Sequence, residues 1–394
     1  MFTLFKDNKK GGETIKTSAL AAISVAVILS VAAVGVYFLF FNDGDDGTHF
    51  DDPMIQSNMG IGSKFTYGQV GDGKYDGNPA TFTDFEAEII GQSGSYYLLY
   101  VTYEYSYTAA GGGSGSGGNS FFVMTHKTTG ELRFGSSAGT DSVEYDGKKI
   151  SLKKWELKQE DKTSSSSSSG IYSFEHARIM EDTVTLSSGV LDAIPYKIDV
   201  TYANESKTKT SYSGGPPSES SHSESYSFSV ELLSMVIEEP TEYIRSDAVG
   251  IGLAYKAEGT EKGYSVEGET AYFIAAEGEY EGFSFLCFAM YINVTSGPEK
   301  QFFVLYIPLT PDADGNYPKL SELVLNSYSL PIVEGELTER ISTIDGMVDC
   351  YVIIIDTDSA KGKAWVGKDN GKLYLWETKI DTGSGKMTLI RNIG

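Results

Sequence analysis

The stretch Ser95–Tyr107, with the sequence SYYLLYVTYEYSY, decides the fold class of this chain. Every second residue from Tyr97 to Tyr107 is apolar or aromatic, which is the period of a β-strand whose side chains alternate between two faces. At about 3.3 Å per residue such a strand is roughly 40 Å long. The stretch therefore predicts a long strand with one continuous apolar face, which a core must cover.

The segments around this strand have the same alternation. Thr81–Ile90 places its acidic side chains on one face and its apolar side chains on the other, and the turn at Gly91–Gly94 joins it to the long strand. The acidic set is Asp84, Glu86 and Glu88, and the apolar set is Phe85, Ala87 and Ile89. Further along, TAYFIAAEGEY turns at Glu281-Gly282 into FSFLCFAMYIN. Both regions predict an antiparallel meander.

Near the end of the chain, KAWVGKDNGKLYLWE holds Asn370-Gly371 between two alternating runs. Asn-Gly in this setting predicts a hairpin with a type I′ turn, in which both central residues have positive φ. Long antiparallel strands with one apolar face curl around a core, so we expect an all-β fold of curved sheets, as barrels or half-barrels, with a two-sheet sandwich as the alternative. One short helix is predicted at Lys319–Leu325.

Short strings recur in the same order in two halves of the chain and predict a duplicated unit. Gly60-Ile61-Gly62 matches Gly250-Ile251-Gly252, Phe121-Phe122-Val123 matches Phe302-Phe303-Val304, and Gly189-Val190-Leu191-Asp192 matches Gly346-Met347-Val348-Asp349. The spacing is longer in the first copy, which contains GGGSGSGG at Gly111–Gly118 and TSSSSSSG at Thr163–Gly170. These two tracts are expected to be surface-loop insertions.

The resulting organisation is a tail, an anchor, a stalk and two tandem β domains. The predicted extents are residues 1–16 for the tail, 17–41 for a transmembrane helix, 42–59 for an acidic stalk, 60–239 for the first β domain with its low-complexity loops, 240–249 for a linker and 250–394 for the second β domain.

The anchor is predicted from Thr17–Phe41, a run of 25 residues without a charge. A signal-peptide core has about 7 to 15 apolar residues and a membrane-spanning helix needs about 20, so the length favours a retained anchor. Lysines precede the run and aspartates follow it, and the positive-inside rule then leaves the N-terminus in the cytoplasm. We expect a single-pass protein of the plasma membrane with its β domains outside.

The charge of the chain excludes one class of partner. The formal net charge is −23, whereas nucleic-acid binding depends on basic patches, so no nucleic acid is expected. A strongly acidic surface keeps a protein soluble and self-repelling.

Two cysteines and one acidic loop are candidate sites. Cys287 and Cys350 are either a disulfide, as an oxidising exterior allows, or two buried thiols in neighbouring strands. The loop PDADGNYP places Asp312, Asp314 and Asn316 at alternate positions, a fragment of a calcium loop without the full ligand spacing, and a turn is the favoured interpretation.

Asn204 and Asn293 begin N-glycosylation sequons on the predicted outer side; Asn204 is expected to open a polar loop and Asn293 to end a predicted strand. No residue is predicted to be catalytic and no cofactor is expected, because the chain has no H-E-x-x-H or C-x-x-C motif. A G-x-S-x-G nucleophile elbow is also lacking.

A lysine-bearing tail, one anchor, an acidic stalk and Tyr- and Ser-rich β domains resemble the layout of uncharacterised archaeal-type cell-surface proteins with an N-terminal anchor. The resemblance implies an extracytoplasmic location. The leading hypothesis is a non-enzymatic protein that binds a protein or glycan at the cell surface or forms part of the envelope. The alternatives are a carrier of an apolar ligand or lipid with a half-barrel cavity, and an extracellular hydrolase that uses carboxylates.

Overall fold

The computed structural model describes residues 59–169, 172–212, 215–240, 247–261, 264–296, 300–328, 330, 337–356, 360–380 and 386–393. The predicted tail, the transmembrane helix at residues 17–41 and the stalk up to residue 58 lie outside these residues. Within the described ranges, no helix has the length and apolar character required to cross a bilayer.

The prediction of an all-β protein is confirmed: the described residues form antiparallel strands and one short helix, α1, at Leu320–Ser327. The first ten strands are β1 Lys64–Gln69, β2 Gly73–Tyr75, β3 Asn78–Gln92, β4 Tyr96–Thr108, β5 Ser114–His126, β6 Ser136–Tyr145, β7 Lys148–Ser169, β8 Tyr172–Gly189, β9 Pro195–Tyr212 and β10 Ser218–Val236. The others are β11 Gly252–Glu261, β12 Tyr264–Tyr280, β13 Phe283–Val294, β14 Lys300–Leu309, β15 Thr338–Thr343, β16 Gly346–Asp356, β17 Ala360–Gly367, β18 Leu373–Ile380 and β19 Lys386–Asn392.

The strands fall into two sets with the same order. The first set runs β5, β4, β3, then β1 and β2 together, then β10, β9, β8, β7 and β6. The second set runs β14, β13, β12, β11, β19, β18, β17, β16 and β15. We call these sets the first and second units.

Each unit curls around its own core. In the first unit Val123 on β5 and Val143 on β6, from opposite ends of the strand order, belong to one buried cluster together with residues of the strands between them. A sheet can bring its two ends to one cluster only by wrapping around it. In the second unit the interior holds Tyr255, Tyr272 and Trp376, and α1 adds Val324 and Leu325.

Strand β4 has the predicted apolar face and a second one. Tyr97, Leu99, Val101 and Tyr103 are buried in the core of the first unit, as the alternation predicts. Leu98, on the opposite face, is also fully buried, because that face packs on the second unit.

The two units meet at a junction in which strands bury both faces. Ile90, Leu98 and Met124 of the first unit pack in one cluster with residues of β12, β13 and β14. Beside this cluster β3 pairs with β12, Gln92 opposite Glu277 and Gly91 opposite Gly278. Lys300–Phe302 of β14 also pair with β7. The cluster and the two pairings join the units.

The first residues of each unit make the same backbone contact, but the equivalent residues are shifted by two positions from those that the sequence match pairs. The amide of Gly62 donates to the carbonyl of Ile89 at 2.8 Å, and that of Gly250 to the carbonyl of Ile274 at 2.9 Å. Both glycines have positive φ, 92° and 88°, which explains the residue type. Gly62 therefore corresponds to Gly250 and not to Gly252.

The third sequence match connects places that do not correspond. Gly189–Asp192 leads from β8 to β9, whereas Gly346–Asp349 begins β16. The counterpart of the first turn is the β17–β18 turn: Asp192 accepts a hydrogen bond from the Tyr196 hydroxyl at 3.0 Å, and the Asn370 amide donates to the Tyr374 hydroxyl at 2.9 Å. The two turns are similar although their sequences differ. In both, a tyrosine lies four residues after the Asp or Asn of the turn.

The predicted hairpins are present, but the β17–β18 turn is not of the predicted type. Glu281 and Gly282 both have positive φ, 50° and 80°, as a type I′ turn requires. In the β17–β18 hairpin only Gly371 of the Asn-Gly pair has positive φ, and its amide donates to the carbonyl of Gly367. The type I′ prediction at Asn370 is therefore wrong, because the hairpin closes through a longer turn.

Of the two low-complexity tracts, Gly111–Gly113 lies in the β4–β5 turn, as the loop prediction expects, but the remaining described residues are strand. Ser114–Gly118 begins β5 and Thr163–Ser169 ends β7. A Cβ added at Gly115 would lie 2.7 Å from the ring of Tyr107. A Cβ added at Gly117 would lie 2.9 Å from the hydroxyl of Tyr105. The glycines thus let tyrosines of β4 lie flat on β5, and the serine tract is held by continuous backbone pairing with β8.

Gly278→Ala should destabilise the junction. A Cβ at this position would collide with the carbonyl oxygen of Ile90 and lie 2.7 Å from the Cα of Gly91, so the strands must separate. We expect a loss of about 2–4 kcal/mol in the free energy of unfolding, measured by urea denaturation. Gly113→Ala, where the added Cβ meets nothing within 4 Å, is the control and should change stability by less than about 0.5 kcal/mol. Equal effects of both changes would contradict the close approach of β3 and β12.

Candidate functional site

The inner face of the first unit changes from apolar to polar along β7–β10. Residues two apart on a strand share a face, so the core row of Leu157, Val184, Val200 and Phe228 is followed by a second row on the same face. Strand register gives that row as Gln159, Asp182, Tyr202, Tyr226 and, on β2, Tyr75. Each of these five side chains is only half-buried.

Tyrosines of this row stack with one another and with β4. The rings of Tyr202 and Tyr226 are 4.8 Å apart and nearly parallel, at 22°. The ring of Tyr75 stacks with those of Tyr105 and Tyr107 at 4.7 and 4.6 Å. These five half-exposed tyrosines, together with Asp182 and Glu224, are called the mouth site below.

The mouth site lies inside the curl of the sheet. The amide of Asn119 on β5 donates to the hydroxyl of Tyr226 on β10 at 3.3 Å, although β4, β3 and β1 separate these strands in the sheet. Tyr103 on β4 also reaches Tyr226, with ring centres 6.3 Å apart. Burial raises the pKa of the Tyr103 hydroxyl, and side-chain hydrogen bonds from Tyr226 and Asn119 oppose this shift.

Two carboxylates of the mouth site have uncharged hydrogen-bond donors. Asp182 accepts from the Gln159 amide at 3.2 Å, and Glu224 accepts from the Tyr75 hydroxyl at 3.0 Å. Desolvation raises the pKa of Asp182 to about 6, and the bond from Gln159 opposes this shift. Gln159 also accepts from the backbone amide of Val304 at 2.8 Å, which ties the row to the second unit.

The guanidinium nearest to this site has other partners. Arg178 donates to Asp161 at 3.4 Å and to the side-chain oxygen of Asn204 at 3.2 Å. Asp161 is buried, and Gln301 of the second unit donates to it at 2.8 Å. Arg178 therefore pairs with Asp161 and also hydrogen-bonds Tyr202 of the mouth site. Asp182 and Glu224 have no cation in ion-pair contact among the described residues.

The candidate calcium residues form a turn. The Asp312 carboxylate accepts the backbone amides of Asp314 and Asn316, both at 2.9 Å, and these bonds hold its pKa below the usual range. Across the described part of the chain, no group of three or more His, Cys, Asp or Glu side chains is placed to hold a metal ion.

The structure places the two cysteines apart, as free thiols. Cys287 on β13 belongs to the junction cluster, and Cys350 on β16 to a small cluster with Val352 and Trp365. Burial raises the pKa of Cys287 to about 12 and that of Cys350 to about 11. The strands are not neighbours, so neither the disulfide nor the alternative of thiols in neighbouring strands describes this arrangement.

The two sequon asparagines differ in setting. The prediction that Asn204 opens a polar loop is wrong: it lies in the middle of β9, and its side chain accepts the bond from Arg178. Asn293 is half-buried, one residue before the end of β13. Glycosylation at either position stays a prediction.

Sequence reasoning missed the mouth site because its residues come from five strands, and the sequence does not show how these strands are paired or in which register. The segment Met180–Leu186 contains one signal: Asp182 is an acidic residue at a position that the alternation assigns to the apolar face. An acid at an inward position of a strand is the pattern that marks such a site.

The fold and the site define an antiparallel β protein of two similarly ordered units, with an aromatic and acidic mouth in the first. Comparison of the chain with protein-family models, with characterised proteins and with solved structures finds no match. The function is therefore inferred from the residues themselves.

Asp182→Asn should stabilise the protein above pH 6 and not below pH 4. Because the pKa of Asp182 rises from 3.8 to about 6 on folding, the native state binds more protons than the unfolded state in this window, and stability falls as pH rises through it. The full loss is about 3 kcal/mol at most. We expect the variant to exceed the wild type by about 1–3 kcal/mol at about pH 7.5 in urea denaturation, and to match it at about pH 4.

Glu181→Gln is the matched control, since Glu181 is the exposed neighbour of Asp182 on the outer face. It removes an exposed ion pair with Lys162 and should change stability by less than about 1 kcal/mol at either pH. A pH-independent effect of Asp182→Asn would show that the carboxylate is not disfavoured by folding.

Proposed function

We propose that the chain is a membrane-anchored, extracytoplasmic surface protein without enzymatic activity, and that its first unit binds a partner at the mouth site. The predicted anchor at residues 17–41 and the charges on either side of it support the location. The half-exposed tyrosine stacks of the mouth site are the observation that carries the binding role. Tyrosine is enriched at binding interfaces because its ring is large and rigid and its hydroxyl is polar.

An apolar-ligand or lipid carrier is the weaker alternative. A carrier needs an empty interior, whereas the described interior of the first unit is filled by aromatic side chains such as Phe65, Phe85 and Phe228. In the second unit Tyr255, Tyr272, Tyr328 and Trp376 fill the corresponding space. An envelope-structural role differs from partner binding only in the identity of the partner and is decided by the same experiments.

A carboxylate hydrolase is also less well supported. Glycoside hydrolysis uses two carboxyl groups on either side of the scissile bond. Asp161, Asp182 and Glu224 stand side by side on one face of one sheet, and Asp161 is engaged by Arg178 and Gln301. Asp182 and Glu224 lie two strands apart, roughly 10 Å at their starting points, which is at or beyond the upper limit of about 9.5 Å for inverting glycosidases.

The location is tested by labelling intact cells with a membrane-impermeant amine reagent. Lys158 and Lys207 have side chains about two-thirds exposed and should react, because the proposal places them outside. The label should be read by mass spectrometry of the protein from the membrane fraction. Labelling of these lysines only after lysis would place the β units inside and overturn the location.

The binding role is tested by chemical cross-linking on intact cells. Tyr202→Leu combined with Tyr226→Leu removes two polar rings of the mouth and should abolish at least about nine-tenths of any specific cross-linked complex, as expected for central aromatic contacts. Tyr264→Leu, at an exposed position of the second unit, is the control and should leave the complex intact. Complexes that survive the double change would place the contact elsewhere.

A further inference from the structure

We propose that the mouth site binds an organic cation, either an ammonium or a guanidinium group. This inference deepens the proposed binding function and rests on it, since it names the chemistry that the mouth recognises. The group is shared by small quaternary ammonium compounds and by lysine or arginine side chains of a protein partner.

The charges of β7–β9 are sorted between the two faces of the sheet. On the outer face lysines meet acids: Lys207 lies 2.7 Å from Glu205, Lys162 lies 3.1 Å from Glu181, and Lys209 lies 3.8 Å from Glu175. On the inner face Arg178 pairs with Asp161 and hydrogen-bonds Tyr202, so one cation stands against three acids, Asp161, Asp182 and Glu224. The mouth therefore keeps a net negative charge.

Ring faces make this negative site suited to a cation. The face of an aromatic ring attracts a cation within about 6 Å of its centre, and aromatic cages bind quaternary ammonium groups in this way. Tyr202 stands between Asp182 and Tyr226, and the Tyr226 ring covers one of its faces at 4.8 Å, so a cation can lie over the face toward Asp182. The same chain already places the guanidinium of Arg133 5.0 Å from the Tyr96 ring centre and 4.8 Å from that of Phe273.

The floor of the mouth is closed by buried polar groups that bond one another. Tyr103 is 3% exposed, and side-chain hydrogen bonds from Tyr226 and Asn119 oppose the rise in its pKa that burial causes. The Asn119 amide also donates to the Tyr226 hydroxyl at 3.3 Å. A cation must therefore bind from the open side, over the half-exposed rings and beside the carboxylates.

The spacing of the carboxylates argues against a metal ion. Asp182 is on β8 and Glu224 on β10, with β9 between them. Neighbouring strands are about 4.8 Å apart, so these side chains start roughly 10 Å apart. Calcium requires its oxygen ligands at about 2.3–2.6 Å, whereas an organic cation of several ångströms can lie between the two acids. A neutral sugar would leave both carboxylates without a counter-charge.

The test is a titration of the purified full chain in micelles of a polyoxyethylene detergent, which has neither a cationic nor a sugar head group. Choline chloride and arginine amide are the probes, glucose and calcium chloride are the comparison solutes, and sodium chloride maintains the ionic strength. Saturation-transfer NMR and tyrosine fluorescence report binding. We expect saturable binding of at least one probe with a Kd below about 5 mM.

Asp182→Asn and Tyr202→Leu should each weaken that binding by about tenfold or more, because each removes one source of attraction. Asp182→Asn is expected to be more stable than the wild type, so its loss of affinity is not a folding defect. Glu224→Gln provides a second charge change, and Glu181→Gln on the outer face should leave the Kd within about twofold.

Binding of choline alone would assign a quaternary ammonium ligand, and binding of arginine amide would assign a side chain of a protein partner; both support the inference. Absence of saturation by either probe, equal affinity in Asp182→Asn, or preferential binding of glucose or calcium would overturn it. The cell-surface experiments do not use these probes, so the location and partner binding can fail or hold independently of the ligand class.

Discussion

The burial of both faces of β4 and β12 is the constraint on which the rest of the structure depends. An antiparallel strand ordinarily has one face on a core and one in water. Here Leu98 and Leu99, consecutive residues, are both buried, one against each unit. The junction is thereby fixed by apolar packing on one side and by the Gly91–Gly278 backbone contact at its edge. Neither unit can change its curl without disturbing the other.

The mouth site follows from this arrangement. Because β14 is held at the junction, Val304 and Gln301 reach β7 and bond Gln159 and Asp161. These two side chains orient Asp182 and Arg178 in the next strand. The polar rows of the first unit are thus supported from the second, and the position of Asp182 depends on contacts that its own unit does not supply.

Sequence alternation was sufficient to predict the strands but not their surroundings. The inward face of Thr81–Ile90 and of Ser95–Tyr107 was predicted because period-two patterning is local. The burial of Leu98, the strand conformation of the serine tract and the row from Gln159 to Tyr75 depend on which strands are neighbours, and register is set by pairing across the sheet. The similarity of the Asp192 and Asn370 turns was also hidden, because the two positions share hydrogen-bonding roles and not residue types.

The groups of the mouth site are also those that cost the fold most. The Asp182 carboxylate, which desolvation disfavours, and the half-exposed rings of Tyr202 and Tyr226 lie within one stretch of inner face. Elsewhere in the first unit the same face is closely packed with Val184, Val200 and Phe228, so an apolar row could have continued there. Local violations of the packing rule that cluster at one place, beside half-exposed rings, are the pattern expected where stability has been given up for recognition. A ligand that supplied one positive charge would stabilise the carboxylate that folding disfavours.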